Sequence, residues 1–181
     1  MSSAYKILPH YTYNDWVHWE GKWELIEGIP FAMRPSPVPK HQRVGAEIIT
    51  EFIFEIRKFG CKKCRVYAPI DFKISDDTIL EPDILIVCGE IKKKYLDFPP
   101  VLVVEILSIA TMLKDRNTKF HLYEQQGVKF FLIVDTEKEV IEIYELVSGI
   151  YQLQTLNNEG LFKFELEEDC KIIPDLKNIW L

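Results

Sequence analysis

Glu105 stands in a run where every neighbour is apolar, Val101-Leu-Val-Val-Glu-Ile-Leu107. An ionised carboxylate inside such a strand is costly unless it is paired or binds a cation. The ordinary explanation is a buried Arg or Lys partner. A second acid changes the balance. Asp83 follows Pro82 and opens the apolar run Asp83-Ile-Leu-Ile-Val87, and a proline is tolerated at the start of a strand because no ladder hydrogen bond is needed there. Glu81 beside it is another carboxylate within reach. Two acids on consecutive buried strands can converge on one hard, oxygen-seeking cation. Lys119 adds an amine. With 3.6 residues per helical turn, Asp115, Lys119 and Tyr123 stack on one side. Lys119 then lies at the margin of an apolar face made by Met112, Leu113, Phe120 and Tyr123. Taken alone, the Asp115–Lys119 spacing describes a surface pair worth a few tenths of a kcal/mol.

The elements that must position these groups follow from periodicity. Thr12 and Asp15 have the spacing of a capping box, predicting a short helix over Tyr13–Glu20 with Trp16 and Trp19 turned inward. Trp23–Met33 reads as a hairpin about Gly28, and the proline-rich link Pro35–Pro39 ends regular structure. Val44, Ile48, Phe52, Ile56 and Phe59 recur at helical spacing, so His41–Phe59 is predicted as a long helix that stops at Gly60. Strands are expected at Cys64–Ala68, Asp71–Ser75, Asp83–Cys88 and Val101–Leu107. The last is apolar on both faces, as in a sheet covered on both sides. A second helix over Thr111–Gln126, a buried strand over Lys129–Val134 and a hairpin about Ser148-Gly149 follow. Leu161–Leu181 is expected to add one strand and a short packing segment. The order predicts an α/β fold with a central mixed sheet flanked by helices and extended by β-hairpins.

Length and composition agree. The chain has 181 residues, 48% of them apolar, which fits one domain (1–181, core about 11–174) with a sizeable core. No apolar stretch is long enough to span a bilayer, and the first ten residues lack the apolar centre of a signal peptide. Cytoplasmic residence without membrane association is the expectation. Cys61 and Cys64 form a lone C-x-x-C while Cys88 and Cys170 are isolated. A structural zinc site normally needs a second ligand pair at close spacing, and none is present, so four reduced thiols are expected, with a redox pair at Cys61/Cys64 as the lesser reading. A net charge of −6 argues against non-specific coating of nucleic acid, which needs many Lys and Arg contacts to phosphate. Local basic rims remain at Arg57-Lys58, Lys62-Lys63, Arg65 and at Lys92-Lys93-Lys94. The second run reads best as solvated loop charge.

Read together, these segments resemble a known family. Pro82-Asp83-Ile-Leu-Ile-Val-Cys88, Val103-Val-Glu105-Ile-Leu-Ser108, Thr111, Asp115, Lys119, Tyr123, Gly127-Val128 and Ile133-Val-Asp135 follow the pattern of the Uma-type family. Its members are restriction-endonuclease-like proteins of the PD-(D/E)XK nuclease superfamily. Trp23-Glu-Leu-Ile-Glu-Gly28, Ser36-Pro37 and His41 match as well, so the resemblance runs from about Tyr11 to Pro174. It implies a restriction-endonuclease-like fold in which Asp83 and Glu105 occupy the two acidic positions. The superfamily's usual lysine, two residues after the glutamate, is Leu107 here. Lys119 takes its place, as in family members whose lysine has moved to the following helix. Glu47 on the first long helix matches an extra acidic ligand of many such nucleases. Where the family usually has Ser-Pro-Ser-Thr, this chain has Ser108-Ile109-Ala110-Thr111, which is expected to reshape the loop beside the site.

The implied activity is hydrolysis of DNA phosphodiester bonds by an endonuclease that uses Mg²⁺ or Mn²⁺. Asp83, Glu105, the Ile106 carbonyl and Glu47 would hold the metal. Lys119 would orient water or stabilise developing charge, supported by Ser108, Asp115 and Tyr123. The partner would be nucleic acid, and the analogy with the superfamily implies a homodimer. Two rival readings stay open. One is a nuclease-fold module that binds nucleic acid or a protein without cutting. The other is a structural domain in which Lys119 simply neutralises Glu105. Of the four histidines, His10 and His18 read as packing or surface groups and His121 as solvated. His41 reads as a residue of the helix-cap region that the family match keeps in view.

Overall fold

The two most apolar runs become the centre of the sheet. In the computed structural model, which describes residues 9–33, 38–108, 112–156 and 161–180, β7 (Leu102–Ile106) and β8 (Phe130–Asp135) are buried along their whole length. They pair in parallel, with Val104 opposite Leu132 and Glu105 opposite Ile133. A parallel pair needs a crossover, and the helical segment between them supplies it.

The other elements in chain order are α1 (Tyr13–Trp16), β1 (Trp23–Ile26), β2 (Ile29–Ala32), α2 (Pro39–Lys58), β3 (Cys64–Tyr67), β4 (Phe72–Lys73), β5 (Ile79–Leu80) and β6 (Ile84–Cys88). After β7 come a π-helix (Lys114–Lys119) and α3 (Phe120–Gln126), which lead into β8. Then follow β9 (Val140–Val147), β10 (Ile150–Leu156), β11 (Phe164–Glu167) and β12 (Cys170–Ile172). A six-stranded mixed sheet has the order β10-β9-β8-β7-β6-β3, and a four-stranded antiparallel sheet the order β2-β1-β5-β4. α2 packs Val44, Ile48 and Phe52 against one face of the large sheet with Ile84, Val104 and Leu132. The π-helix–α3 side packs Tyr123 and Phe120 against the other face with Leu85, Val103 and Phe131. This is the mixed α/β layout that the alternation of patterns predicts.

Local chemistry explains the boundaries. Asp15 Oδ2 accepts both the main-chain N–H and the hydroxyl of Thr12 at 2.8 Å, closing the predicted capping box. The helix there spans only four residues, and Trp16 and Trp19 are half-buried rather than core. α3 ends at Gly127, whose φ of 77° is a left-handed conformation natural to glycine, and the Val128 N–H reaches back to the Tyr123 carbonyl. Gly28 turns the first hairpin at φ 75°, and a side chain there would collide with the His10 ring. His10 itself pairs with Asp77 at 3.1 Å.

Several expectations need correction. The helix predicted over Thr111–Gln126 is interrupted by a π-helix over Lys114–Lys119 before the α-helical Phe120–Gln126, and Thr111 lies outside the described residues. The strand predicted over Asp71–Ser75 shortens to two residues, and β5 beside it was not foreseen. The C-terminal region holds a two-stranded hairpin instead of one strand. The cysteines are not reduced: they form Cys61–Cys170 and Cys64–Cys88 bridges. The C-x-x-C residues thus bond to distant partners, not to each other. The reason is topological, since Cys64 and Cys88 stand opposite each other on β3 and β6, while β12 carries Cys170 to Cys61. Ser36-Pro37 and the Ile109–Thr111 stretch lie outside the described residues. Among the described residues no helix is long and apolar enough to cross a membrane.

Candidate active site

Strand parity places the two predicted acids together. Ile84 lies opposite Val104 on antiparallel β6 and β7. Continuing this register by one residue sets Asp83 across from Glu105, and neighbours across a strand pair share a face of the sheet. Asp83 Oδ2 accepts the Ile106 N–H at 2.8 Å, so the acid at the start of β6 is fixed to the end of β7.

Lys119 joins them from the π-helix. Its Nζ is 2.9 Å from Glu105 Oε1, 2.7 Å from Glu24 Oε1 and 3.5 Å from Asp115 Oδ1. Tyr123, one turn on, donates its hydroxyl to the same Glu105 oxygen at 2.6 Å. Lys114 bonds the other Glu24 oxygen, and the Glu81 main-chain N–H donates to Glu24 Oε1 at 3.1 Å. The Glu81 side chain itself pairs with Lys22, so it is not part of the cluster.

Two members of the cluster, Glu24 and Lys114, were not singled out from the sequence. Glu24 comes from β1 of the small sheet, where a short alternating strand reads as one with a solvent face. In fact it is fully buried. An acid flanked by Trp23, Leu25 and Ile26 carries the same signal as Glu105, and that signal could have found it. Lys114 was hidden by the wrong helical period. In an α-helix, residues five apart diverge by about 140°. In a π-helix the i→i+5 bond brings Lys114 and Lys119 onto one side, and both reach Glu24.

His41 is the residue that α2 contributes. Its Nε2 lies 3.4 Å from Asp83 Oδ2, and its ring feels the Ile106 main chain. Glu47, expected as an extra ligand, faces solvent two turns along the same helix and does not join the cluster. Ser108 accepts the Met112 N–H through its carbonyl at 3.0 Å, at the foot of the loop that follows β7. The predicted basic rim at Arg57, Lys62 and Arg65 belongs to the other end of α2, about 24 Å along the helix axis from His41.

The electrostatics follow from burial and mutual charge. Glu24, Glu105, Asp115 and Lys119 keep at most 3% of their side chains exposed, whereas His41 and Asp83 keep 14% and 23%. Solvent therefore reaches the cluster from the Asp83–His41 side. Burial, joined by the charges of Asp115, Asp83 and Glu24, pushes the Glu105 carboxyl well above the usual range, against the pull of Lys119. Burial works against the Lys119 ammonium, but Glu105, Glu24 and Asp115 outweigh it and hold its pKa well above the ordinary lysine value. Burial also acts to raise Glu24, yet Lys119 and Lys114 bring its pKa below normal. Burial lowers His41, but Asp83, the Ile106 main chain and Asp115 more than compensate, and the net shift is upward.

Four carboxylates (Glu24, Asp83, Glu105, Asp115) face two ammonium groups (Lys114, Lys119). A buried cluster with surplus negative charge is stabilised by a cation, and a hard ion such as Mg²⁺ needs only one or two carboxylates plus water. Of the four carboxylates, Asp83 is the one that solvent reaches, and its cross-strand neighbour is Glu105.

Comparison with known proteins bears on the fold and the family. The solved structure described as a "putative nuclease belonging to DUF820" from Anabaena variabilis ATCC 29413 superposes with a TM-score of 0.75 at 16% identity, covering 94% of this chain and 99% of that one. At this identity the likeness establishes the fold. No curated protein matches the chain. The family profile described as "Putative restriction endonuclease" matches residues 10–170, nearly all of the described sequence. On that match the chain belongs to the Uma2 family of restriction-endonuclease-like proteins.

Proposed function

We propose that this chain is a divalent-metal-dependent endonuclease that hydrolyses phosphodiester bonds in DNA. The observation that carries the reading is the meeting of Asp83, Glu105 and Lys119, drawn from β6, β7 and the π-helix, beside the Ile106 main chain. Asp83, Glu105 and the Ile106 carbonyl would hold Mg²⁺ or Mn²⁺. When bound, such an ion acidifies a water and neutralises charge on the phosphate.

The chain's own groups divide the remaining work. Lys119 keeps its proton because three carboxylates surround it, so it acts as a fixed positive charge and not as a base. Tyr123 and Lys119 both hold one oxygen of Glu105 and thereby fix the carboxylate's orientation. Glu24 and Asp115 hold the ammonium in place, and Lys114 anchors Glu24. His41, on the open side with Asp83, is positioned to hydrogen-bond a phosphate oxygen or carry a proton at Nε2. Water attacks phosphorus and the bond to the leaving sugar oxygen breaks.

A second reading has a specific observation behind it. Lys119 is so fully engaged by carboxylates that a fold which binds without cutting would use the same contacts for stability alone. Plasmid nicking separates the two. With Mg²⁺ or Mn²⁺ the wild-type chain converts supercoiled DNA to open circles, and a chelator stops it. Asp83→Asn and Glu105→Gln each lower the rate by about 100-fold or more, the scale of losing a group that stabilises the transition state. Undiminished nicking in both variants removes the nuclease reading. A wild-type chain that neither nicks DNA nor takes up Mg²⁺ in calorimetry establishes the non-cutting one.

A further inference from the structure

At the end of α2 remote from His41, three chain segments bring five metal-ligating side chains together. Cys61 and Cys64 bracket the turn from α2 into β3. Cys88 ends β6 and stands directly opposite Cys64. Glu167 and Cys170 face each other as register partners at the tip of the β11–β12 hairpin. Cys64, Cys88 and Glu167 can each offer a ligand atom within 4.8 Å of the others. Cys170 adjoins Cys61, its bridge partner. None of these residues belongs to the Asp83–Glu105–Lys119 cluster.

We propose that in its reduced form this cluster is a structural site for a thiophilic divalent cation of the zinc class. Cys64, Cys88 and Glu167 are three ligands, and the fourth position is taken by water or by a thiolate freed when the Cys61–Cys170 bridge opens. Zinc takes Cys and carboxylate ligands in four-coordinate sites, and a C-x-x-C turn is a common way to present two of them. Ligand supply from three separate segments is also what a structural site needs, since the ion then ties α2, the large sheet and the C-terminal hairpin together. Local charge favours the thiolates: Lys62, Lys63 and Arg65 flank Cys64 in sequence, and cationic neighbours stabilise the deprotonated sulfur. A cleft of about 620 Å³ lined by Arg57, Cys61, Lys62 and Arg65 lies alongside Cys61.

The disulfide and metal forms are alternatives built from the same atoms. A dithiol reductant converts each bridge to two thiols and is itself oxidised to a disulfide. The thiols then release their protons to solvent as the cation binds. In a reducing compartment, where protein disulfides are rare, the metal form is the one expected.

The test uses the full chain reduced with a phosphine under anaerobic conditions, with all four thiols confirmed by titration, and excess Mg²⁺ present to fill the carboxylate cluster. Addition of Co²⁺ alone gives a thiolate-to-cobalt charge-transfer band that saturates at one equivalent, and Zn²⁺ bleaches it stoichiometrically. Zn²⁺ also raises the melting temperature. Carboxylates and histidine produce no such band, so the outcome is independent of whether the chain cuts DNA. Glu167→Gln, at an exposed position, weakens the cobalt complex at least tenfold while the fold persists. Cys64→Ser with Cys88→Ser abolishes the band. A folded, fully reduced chain without the band, a band that survives the double substitution, or bridges that resist the reductant while the protein stays folded would each overturn the proposal.

Discussion

Lys119 is a cation shared by Glu24, Glu105 and Asp115, all of them buried. Removing one member of a buried ionic group leaves its partners uncompensated, at a cost of about 3–5 kcal/mol. Lys119→Met is therefore expected to lower the free energy of unfolding by about that amount in urea titrations. The cation-site reading adds a second expectation. Without the ammonium the cluster is more negative, so Mg²⁺ binds the folded variant more tightly and recovers part of the lost stability by mass action. The gain on adding Mg²⁺ should be larger in Lys119→Met than in wild type. An equal loss with no response to Mg²⁺ in either protein would mark the cluster as purely structural.

At the scale of elements, the π-helix decides which side chains enter the site. It is pinned to the sheet through Arg116, whose guanidinium makes a two-bond contact to Glu142 on β9 at 2.6 and 3.0 Å, while Tyr144 donates to the same carboxylate at 2.6 Å. Glu142 is buried. Arg116→Met leaves this carboxylate short of donors and should cost about 1–3 kcal/mol, read as a lower urea midpoint with an unchanged m-value. The same helix shows where sequence reading reached its limit. Glu105 was legible because it breaks an apolar run where burial is certain, Asp83 and Lys119 were singled out through the motif order that resembles the family, and the apolar runs of β7 and β8 marked the centre of the sheet. A change from the α to the π period leaves no mark in residue types, so Lys114 was invisible. β5 has two residues, too few to show alternation. The β11–β12 hairpin did carry a period-two signal in Phe164, Leu166, Cys170 and Ile172, whose burial alternates as that pattern requires. Pairing the cysteines needed the register of strands far apart in the chain.

For the whole molecule, the relation between the two sheets matters most, because Glu24 enters the site from the smaller one and Asp83 and Glu105 from the larger. Their junction contains a second electrostatic group. Lys22 pairs with Glu81, and Asp71, just before β4, lies near both. Burial, with the charge of Glu81 added, raises the Asp71 carboxyl from 3.8 to about 6, against a smaller opposing effect of Lys22. The folded protein thus binds a proton at Asp71 more tightly than the unfolded chain does. Between about pH 4 and pH 6 the folded state holds more protons, so stability falls as pH rises through that window, and above it the full penalty of ionised Asp71 is in place. Asp71→Asn removes this contribution and keeps the shape of the side chain. Its melting temperature should exceed that of wild type at pH 7, and the difference should shrink steadily as pH is lowered toward 4. Because the junction holds the β1 strand that carries Glu24, the variant should also resist proteolysis in β1–β2 at neutral pH more than wild type does. A wild-type advantage at pH 7, or a difference that does not change with pH, would mean that the seam between the sheets is not under this charge control.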